Sequence, residues 1–233
     1  MATVKTKTVW FCKECGNESP KWMGRCPACG EWNTMVEEKV SAKPNRGSNT
    51  TRIAKSVPQK VSEIQAVNEP RIHMPSEELN RVLGGGLVPG SLVLLGGEPG
   101  IGKSTLVLQT ILGMPDRKVL YVSGEESVQQ IKLRADRIAH ERGNCHIVCE
   151  TSPETVVVHI KNVQPELLVI DSVQTMCSEA VDSSPGSMAQ VRECTGMLLK
   201  FAKENNVPVI LIGHITKDGA IAGPKILEHI VDV

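Results

Sequence analysis

The run Gly97-Glu98-Pro99-Gly100-Ile101-Gly102-Lys103-Ser104 constrains this chain more than any other stretch, because it fits the pattern G-x-x-x-x-G-K-[ST]. Just before it, Leu92-Val93-Leu94-Leu95 reads as a short buried strand. After it, the residues from Thr105 to Leu112 read as a helix closed by Gly113. Phosphate binding needs that order. The glycines let backbone N–H groups turn inward around phosphate oxygens, and the helix N-terminus adds a favourable dipole. In such a loop Lys103 reaches the β and γ phosphates and the Ser104 hydroxyl sits on Mg²⁺. A chance glycine-rich turn between strand and helix is the competing reading, and the second motif described below counts against it. The loop predicts a nucleoside triphosphate site.

The rest of the chain alternates in the same way. Val119 to Val122, His146 to Val148, Leu167 to Ile170 and Val207 to Ile212 read as further strands. Helices are expected from Ser127, which with Gln130 forms a capping box, from Ser152-Pro153, and from Ser187 to about Asn205, with a Ser187/Gln190 capping box. A shorter helix from Ser76 to Leu83 is broken by Gly84-Gly85-Gly86. Alternation at this spacing predicts an α/β fold with a parallel sheet and right-handed crossovers. Apolar residues make up 40% of the 233, but aromatics only 3%, so the core must be aliphatic, as a helix-covered parallel sheet requires.

Four of the eight cysteines fall as Cys12-x-x-Cys15 and Cys26-x-x-Cys29, each pair followed by a glycine (Gly16, Gly30) that permits the left-handed turn of a metal knuckle. Two such knuckles place four thiolates tetrahedrally around Zn²⁺, with no coordination position left open for catalysis. A segment this short buries too little surface to fold alone, so the metal would supply the missing stability. Two disulfides are the alternative. Trp10, Phe11, Trp22 and Trp32 cluster around the knuckles and are expected to pack the small core, the alternative being that exposed ones stack on bases. Cys145, Cys149, Cys177 and Cys194 have no paired spacing, and Cys194 falls on an apolar helical stripe with Val191, Leu198 and Phe201. The expected division is a four-cysteine zinc knuckle over 1–36, a linker over 37–75 and the P-loop core over 76–233.

The net charge of zero conceals an asymmetry. Residues 1–60 carry 11 Lys/Arg against 5 Asp/Glu (+6), and residues 61–233 carry 15 against 21 (−6). Four thiolates on Zn²⁺ would lower the N-terminal excess to about +4. A basic appendage on an acidic body points weakly to nucleic acid. No apolar run approaches the roughly 18–20 residues that span a bilayer. The start of the chain also lacks the apolar stretch of a signal peptide. A soluble, cytoplasmic protein with no membrane partner is expected.

Leu167-Leu168-Val169-Ile170-Asp171 has the form of a Walker B strand, four apolar residues ending in a carboxylate. At the carboxyl end of a parallel strand, Asp171 would hold Mg²⁺ or its water. Hydrolysis also needs a group that orients the attacking water. The second strand ends Ser123-Gly124-Glu125-Glu126, and either carboxylate can fill that role; acidic residues in a first helical turn are also favoured by the dipole alone. The fifth strand runs into Gly213-His214-Ile215-Thr216, where His214 is either a sensor of the γ-phosphate or a structural histidine.

Taken together, several runs resemble the bacterial RadA/Sms DNA-repair family. They are the four-cysteine knuckle, the approach Glu78-Leu79-Asn80-Arg81-Val82-Leu83-Gly84-Gly85-Gly86, the loop from Gly97 to Thr105, Val122-Ser123-Gly124-Glu125-Glu126-Ser127, Gly213-His214-Ile215-Thr216-Lys217-Asp218-Gly219 and Ile221-Ala222-Gly223-Pro224-Lys225. The resemblance implies a zinc ribbon ahead of a RecA-like P-loop core, and a DNA-stimulated, helicase-like ATPase that uses ATP, Mg²⁺ and Zn²⁺. It further implies a hexameric ring that acts on single-stranded and branched DNA beside a RecA-type recombinase, processing recombination intermediates by branch migration. By the same resemblance Glu125 matches the water-activating glutamate, His214 the phosphate sensor, and the stretch from Thr216 to Lys225 a DNA-contacting loop. Family members continue with further core strands, a Lys-Asn-Arg-Phe-Gly motif and a Lon-protease-like domain, so the core within these 233 residues is expected to be C-terminally incomplete, its last residues from Glu228 to Val233 beginning a strand. Two alternatives stand beside this reading: a zinc- and ATP-binding module without turnover, and a RecA-fold ATPase acting on proteins.

Overall fold

A computed structural model of the chain describes residues 6–14, 16–41, 60, 70–138, 143–214 and 226–233. At the N-terminus, strands β1 (Thr6–Cys12), β2 (Glu18–Ser19) and β3 (Met35–Ser41) form an antiparallel sheet in the order β2-β1-β3. Strand β3 pairs along the whole of β1, from Cys12 opposite Met35 to Thr6 opposite Ser41. The ribbon therefore extends past residue 36, where the hydrophobic pattern fades. An outer strand of so small a sheet is held by its backbone ladder and needs little apolar patterning.

The larger sheet holds β4 (Leu92–Gly97), β5 (Val119–Ser123), β6 (Cys145–Cys149), β7 (Leu167–Asp171) and β8 (Val209–His214), in the order β4-β8-β7-β5-β6. Every pairing in it is parallel. The helices are α1 (Glu77–Val82), α2 (Lys103–Leu112), α3 (Val128–Ile138), α4 (Pro153–Val163), α5 (Met188–Asn205) and α6 (Ile226–Ile230). Alternate residues of β7 divide the core. Leu168 and Ile170 join Val156 and Ile160 of α4 and Val191 and Leu198 of α5. Leu167 and Val169 join Val107, Leu108 and Ile111 of α2 and Ile131 of α3. With both faces covered, the strands read as continuous apolar runs. Cys194 is buried in the first of these clusters, and burial pushes its thiol up to about 12, which leaves it unreactive.

The expected caps are present, with one difference. Ser127 and Gln130 bond reciprocally, Ser127 N–H to Gln130 Oε1 at 2.9 Å and Gln130 N–H to Ser127 Oγ at 3.3 Å. Ser187 Oγ accepts from Gln190 N–H, but the buried Gln190 side chain does not return the bond. Its Oε1 accepts from Ser178 N–H at 2.8 Å while Nε2 donates to the carbonyls of Ser178, Val181 and Ser183, binding the loop between β7 and α5 to the helix. Residues 71–75 also belong to the core rather than to the linker. Ile72 bridges Leu87, and Asn80 exchanges two hydrogen bonds with the backbone of Met74. Gly86 (φ +124°) is required there, because a Cβ would stand 2.6 Å from the Ile72 carbonyl oxygen.

The end of the chain departs from the strand expected over Glu228 to Val233. It forms α6, whose Leu227 is buried against the core. Only Asp232 and Val233 reach the edge of β4, where Asp232 N–H donates to Leu92 O at 2.8 Å and Val233 O accepts from Leu94 N–H at 2.9 Å. The ribbon also touches the core, with Val9 and Phe11 of β1 packing on Ala189 at the start of α5, beside Val181 and Met188. No described helix is long and apolar enough to cross a membrane.

Candidate nucleotide and zinc sites

The loop after β4 enters α2 through Gly100 (φ +81°) and Gly102 (φ +95°), the latter in the helix N-cap position with no side-chain cap bond. A Cβ at either glycine would meet nothing within 4 Å. Both are glycine for their backbone conformation, which leaves the first N–H groups of α2 without side-chain competition for an anion. Helix α2 begins at Lys103, two residues before the start expected from the sequence. Lys103 is buried to 7% exposure, and its Nζ donates to the carbonyls of Gly97 and Glu98, each at 2.8 Å. Ser104 and Thr105 follow on the same first turn.

Sheet order then decides which residues meet this loop. Strand β8 lies between β4 and β7, with His214 opposite Gly97 and Ile212 opposite Asp171. On the other side of β7, Ser123 stands opposite Asp171, and Glu125 follows two residues later. The carboxyl ends of four adjacent strands thus bring Gly97, His214, Asp171 and Glu125 to one edge, as expected for a ligand site in an open parallel sheet.

Glu125 and Glu126 part company there. Glu125 Oε1 accepts from His214 Nε2 at 2.9 Å and from the Ser172 hydroxyl. Glu126 instead pairs with Arg134 of α3 at 2.7 Å. Burial pushes the Glu125 carboxyl up, but the Ser172 and His214 hydrogen bonds, with the charges of His214 and Lys103, outweigh it and hold the pKa below the ordinary glutamate value. Ser123 Oγ fixes the turn by accepting from the N–H groups of Glu126 at 3.0 Å and Glu125 at 3.4 Å.

Asp171 is 4% exposed. Its Oδ2 accepts from the Tyr121 hydroxyl, while its Oδ1 is buried with no hydrogen-bond partner among the described residues. A buried carboxylate oxygen without a donor is costly by itself. It suits a divalent cation or a water held by one, so the residues present fit such an ion. Sequence reasoning missed three residues here: Tyr121, Ser172 and Gly124, where a Cβ would stand 2.0 Å from Thr175 Oγ1. Tyr121, the only tyrosine of the chain, offered a signal as the one aromatic residue of its strand.

In the ribbon, Cys12, Cys26 and Cys29 bring their sulfurs within 4.8 Å of one another, with Cys12 and Cys29 3.6 Å apart. Thiolates at about 2.3 Å from a tetrahedral Zn²⁺ stand about 3.8 Å from each other, so these three fit the metal. At 3.6 Å the Cys12 and Cys29 sulfurs are far beyond the length of a disulfide bond. Each knuckle closes alike, Gly16 N–H to Cys12 O at 2.8 Å and Gly30 N–H to Cys26 O at 2.9 Å, and both glycines have positive φ. Cys15 lies outside the described residues, as do Lys217 and Lys225 of the expected DNA-contacting loop. Trp22 and Trp32 contradict the expectation that they pack the ribbon core: they are 55% and 67% exposed. A metal-held fold needs few apolar side chains: Met35 and the partly buried Trp10 pack around Cys12 and Cys26, while Val9 and Phe11 are buried against the start of α5.

Comparison with known proteins finds a family for each of the two parts of the chain. Residues 58–220 match the family model of the AAA domain, and residues 10–37 match that of the rubredoxin metal binding domain. Over 98% of its length the chain is 51% identical to DNA repair protein RadA of Halalkalibacterium halodurans and 50% identical to DNA repair protein RadA of Bacillus subtilis. It is 46% identical to DNA repair protein RadA of Pseudomonas aeruginosa, again over 98% of its length. The chain spans about half the length of these relatives, 51% of each. With a P-loop α/β core and a cysteine-rich ribbon in one polypeptide, the chain belongs to the AAA-domain family, in its RadA/Sms branch.

Proposed function

We propose that the chain is a DNA-dependent ATPase of recombinational repair, which processes branched recombination intermediates and promotes branch migration. The observation that carries the reading is the meeting of Glu125, His214 and Asp171 with the phosphate loop at one edge of the sheet.

In this reading the backbone from Gly97 to Thr105 cradles the phosphates of ATP, and Lys103 exchanges its bonds to the Gly97 and Glu98 carbonyls for β- and γ-phosphate oxygens. Ser104 and the free Oδ1 of Asp171 would hold Mg²⁺. That ion, when bound, neutralises charge developing on the phosphates. Glu125 orients the attacking water and accepts its proton. A lowered pKa weakens it as a base but keeps it ionised, which suits a loose transition state that asks mostly for positioning. His214 shares an oxygen of Glu125 and sits opposite the first loop glycine, so it can report an arriving γ-phosphate to the water-activating group. The partners proposed are single-stranded and branched DNA, further copies of the chain in a hexamer, and a RecA-type recombinase, in the cytoplasm.

The test is steady-state ATP hydrolysis with and without single-stranded DNA, beside Lys103→Ala. Turnover stimulated by DNA and lost in the variant supports the reading. Nucleotide binding with no turnover in any condition overturns it in favour of a zinc- and ATP-binding module.

A further inference from the structure

Trp22 and Trp32 are the most conspicuous feature of the molecule that the nucleotide site leaves unused. The chain has only six aromatic residues, three of them tryptophans at positions 10, 22 and 32, all in the ribbon. Two of these three lie more than half exposed. Exposed indoles cost solubility and contribute little to a fold held by metal, so packing does not account for them.

Their arrangement is specific. The rings converge over Gly24: a Cβ there would lie 3.5 Å from Trp22 Cη2 and 3.8 Å from Trp32 Cζ3. Both rings therefore approach the same side of Gly24 and together form a ledge. Arg25 bridges Trp32 in the backbone ladder and lays its guanidinium 5.8 Å from the ring centroid. Its Nε donates to the Gly30 carbonyl at 2.7 Å, which holds the cation over one face of Trp32. Lys21, next to Trp22 in sequence, is exposed, its backbone held by Ser19 Oγ through bonds of 2.8 and 3.3 Å. Residues 21–25 carry two cations and no carboxylate; Glu31, next to Trp32, is the acidic neighbour in sequence. Because Arg25 precedes Cys26 and grips Gly30, the second cysteine knuckle positions the ledge.

We infer that this ledge binds single-stranded nucleic acid, bases stacking on Trp22 and Trp32 while Arg25 and Lys21 meet the adjoining phosphates. A π-face beside a phosphate is what exposed indoles beside a fixed guanidinium complement, and stacking of this kind is indifferent to sequence. The inference deepens the proposed function and rests on its DNA partner, for which it assigns a contact site in the ribbon.

The experiment titrates the full chain, zinc-loaded, with a labelled single-stranded oligo(dT), following both anisotropy and tryptophan quenching. It is repeated with the double variant Trp22→Ala/Trp32→Ala and with Arg25→Ala. The expected result is quenching in the wild type and at least about tenfold weaker binding in the double variant, with zinc content and ATP affinity unchanged. Arg25→Ala should lower the slope of log affinity against log salt by about 0.7. Binding by the wild type that neither quenches tryptophan nor weakens in the double variant overturns the ledge alone. It leaves the DNA partner standing and the ledge to a protein. No binding of oligo(dT) by the wild type overturns both.

Discussion

His214 Nε2 stands 2.9 Å from Glu125 Oε1, joining the end of β8 to the turn after β5 across the intervening β7. Glu125→Gln keeps the shape and removes the carboxylate. It should reduce turnover by about 10²–10⁴ while leaving ATP affinity within about twofold, because the side chain acts on water rather than on phosphate. Rapid-quench hydrolysis beside equilibrium nucleotide binding checks this; equal losses in both would place Glu125 in binding instead.

The same pair sets a pH dependence. The Glu125 pKa is lowered in the folded protein, with burial opposed by the Ser172 and His214 bonds. A depressed carboxylate pKa stabilises the fold fully above the unfolded value of about 4.3 and ceases to do so as pH falls through the folded value. Turnover should therefore hold its Glu125 contribution through the neutral range and lose it only below the ordinary glutamate pKa. The test is a profile of kcat on its acid side, in which an apparent pKa near neutrality would contradict the assignment of this group.

Tyr121 donates to Asp171 Oδ2 from the neighbouring strand. Burial first, and then the Asp171 charge and hydrogen bond, push the phenol well above its usual pKa, so it remains a donor at every working pH. It fixes one carboxylate oxygen and leaves Oδ1 as the free one. Tyr121→Phe should cost about 1–3 kcal/mol in unfolding free energy by stranding a buried acceptor. It should also raise the Mg²⁺ concentration needed for half-maximal ATP binding without altering Mg²⁺-free binding of ADP. Denaturant titration and a Mg²⁺ series with fluorescent nucleotide separate the two effects.

Gly124 lies between Ser123 and Glu125, and its added Cβ would meet Thr175 Oγ1 at 2.0 Å and Thr175 Cβ at 2.7 Å. Gly124→Ala must push apart the turn after β5 and the turn after β7. The overpacking should cost about 1–3 kcal/mol and lower kcat more than ATP affinity, because the displaced groups are Glu125 and its Ser172 partner. Thr175→Ser with Gly124→Ala, which removes a methyl group but not the hydroxyl, should restore little.

Local signals on the sequence account for most of the frame. The phosphate loop binds through its own backbone, so its glycines and Lys103 are legible without a fold. Each strand is an apolar run, and each knuckle is a spacing of two cysteines. What escaped reading depends on which strands are neighbours. Tyr121 and Asp171 are fifty residues apart, and Ser172 and Glu125 forty-seven; they meet only because β5 pairs with β7. The local position of Gln190 fits half of a capping box, yet the loop from Ser178 to Ser183 offers its side chain more bonds than the helix terminus does. The choice between Glu125 and Glu126 likewise waited on Arg134, which draws Glu126 toward α3.

Zinc removal tests how far the two parts of the chain are independent. Cys12, Cys26 and Cys29 hold a ribbon whose apolar interior is small, and Val9 and Phe11 spend part of it on Ala189 at the start of α5. Structural zinc supplies about 10–16 kcal/mol of apparent binding energy, more than such a segment gains otherwise. Cys26→Ala or a strong chelator should therefore release the metal and unfold the ribbon. Since all three tryptophans lie there, their fluorescence reports that transition alone. The parallel sheet keeps its own two-sided core, so helical circular dichroism and ATP binding should survive. Stoichiometric zinc retained by Cys26→Ala would remove Cys26 from the ligand set. Loss of ATP binding together with the tryptophan signal would show instead that the Phe11–Ala189 contact makes the core depend on the ribbon.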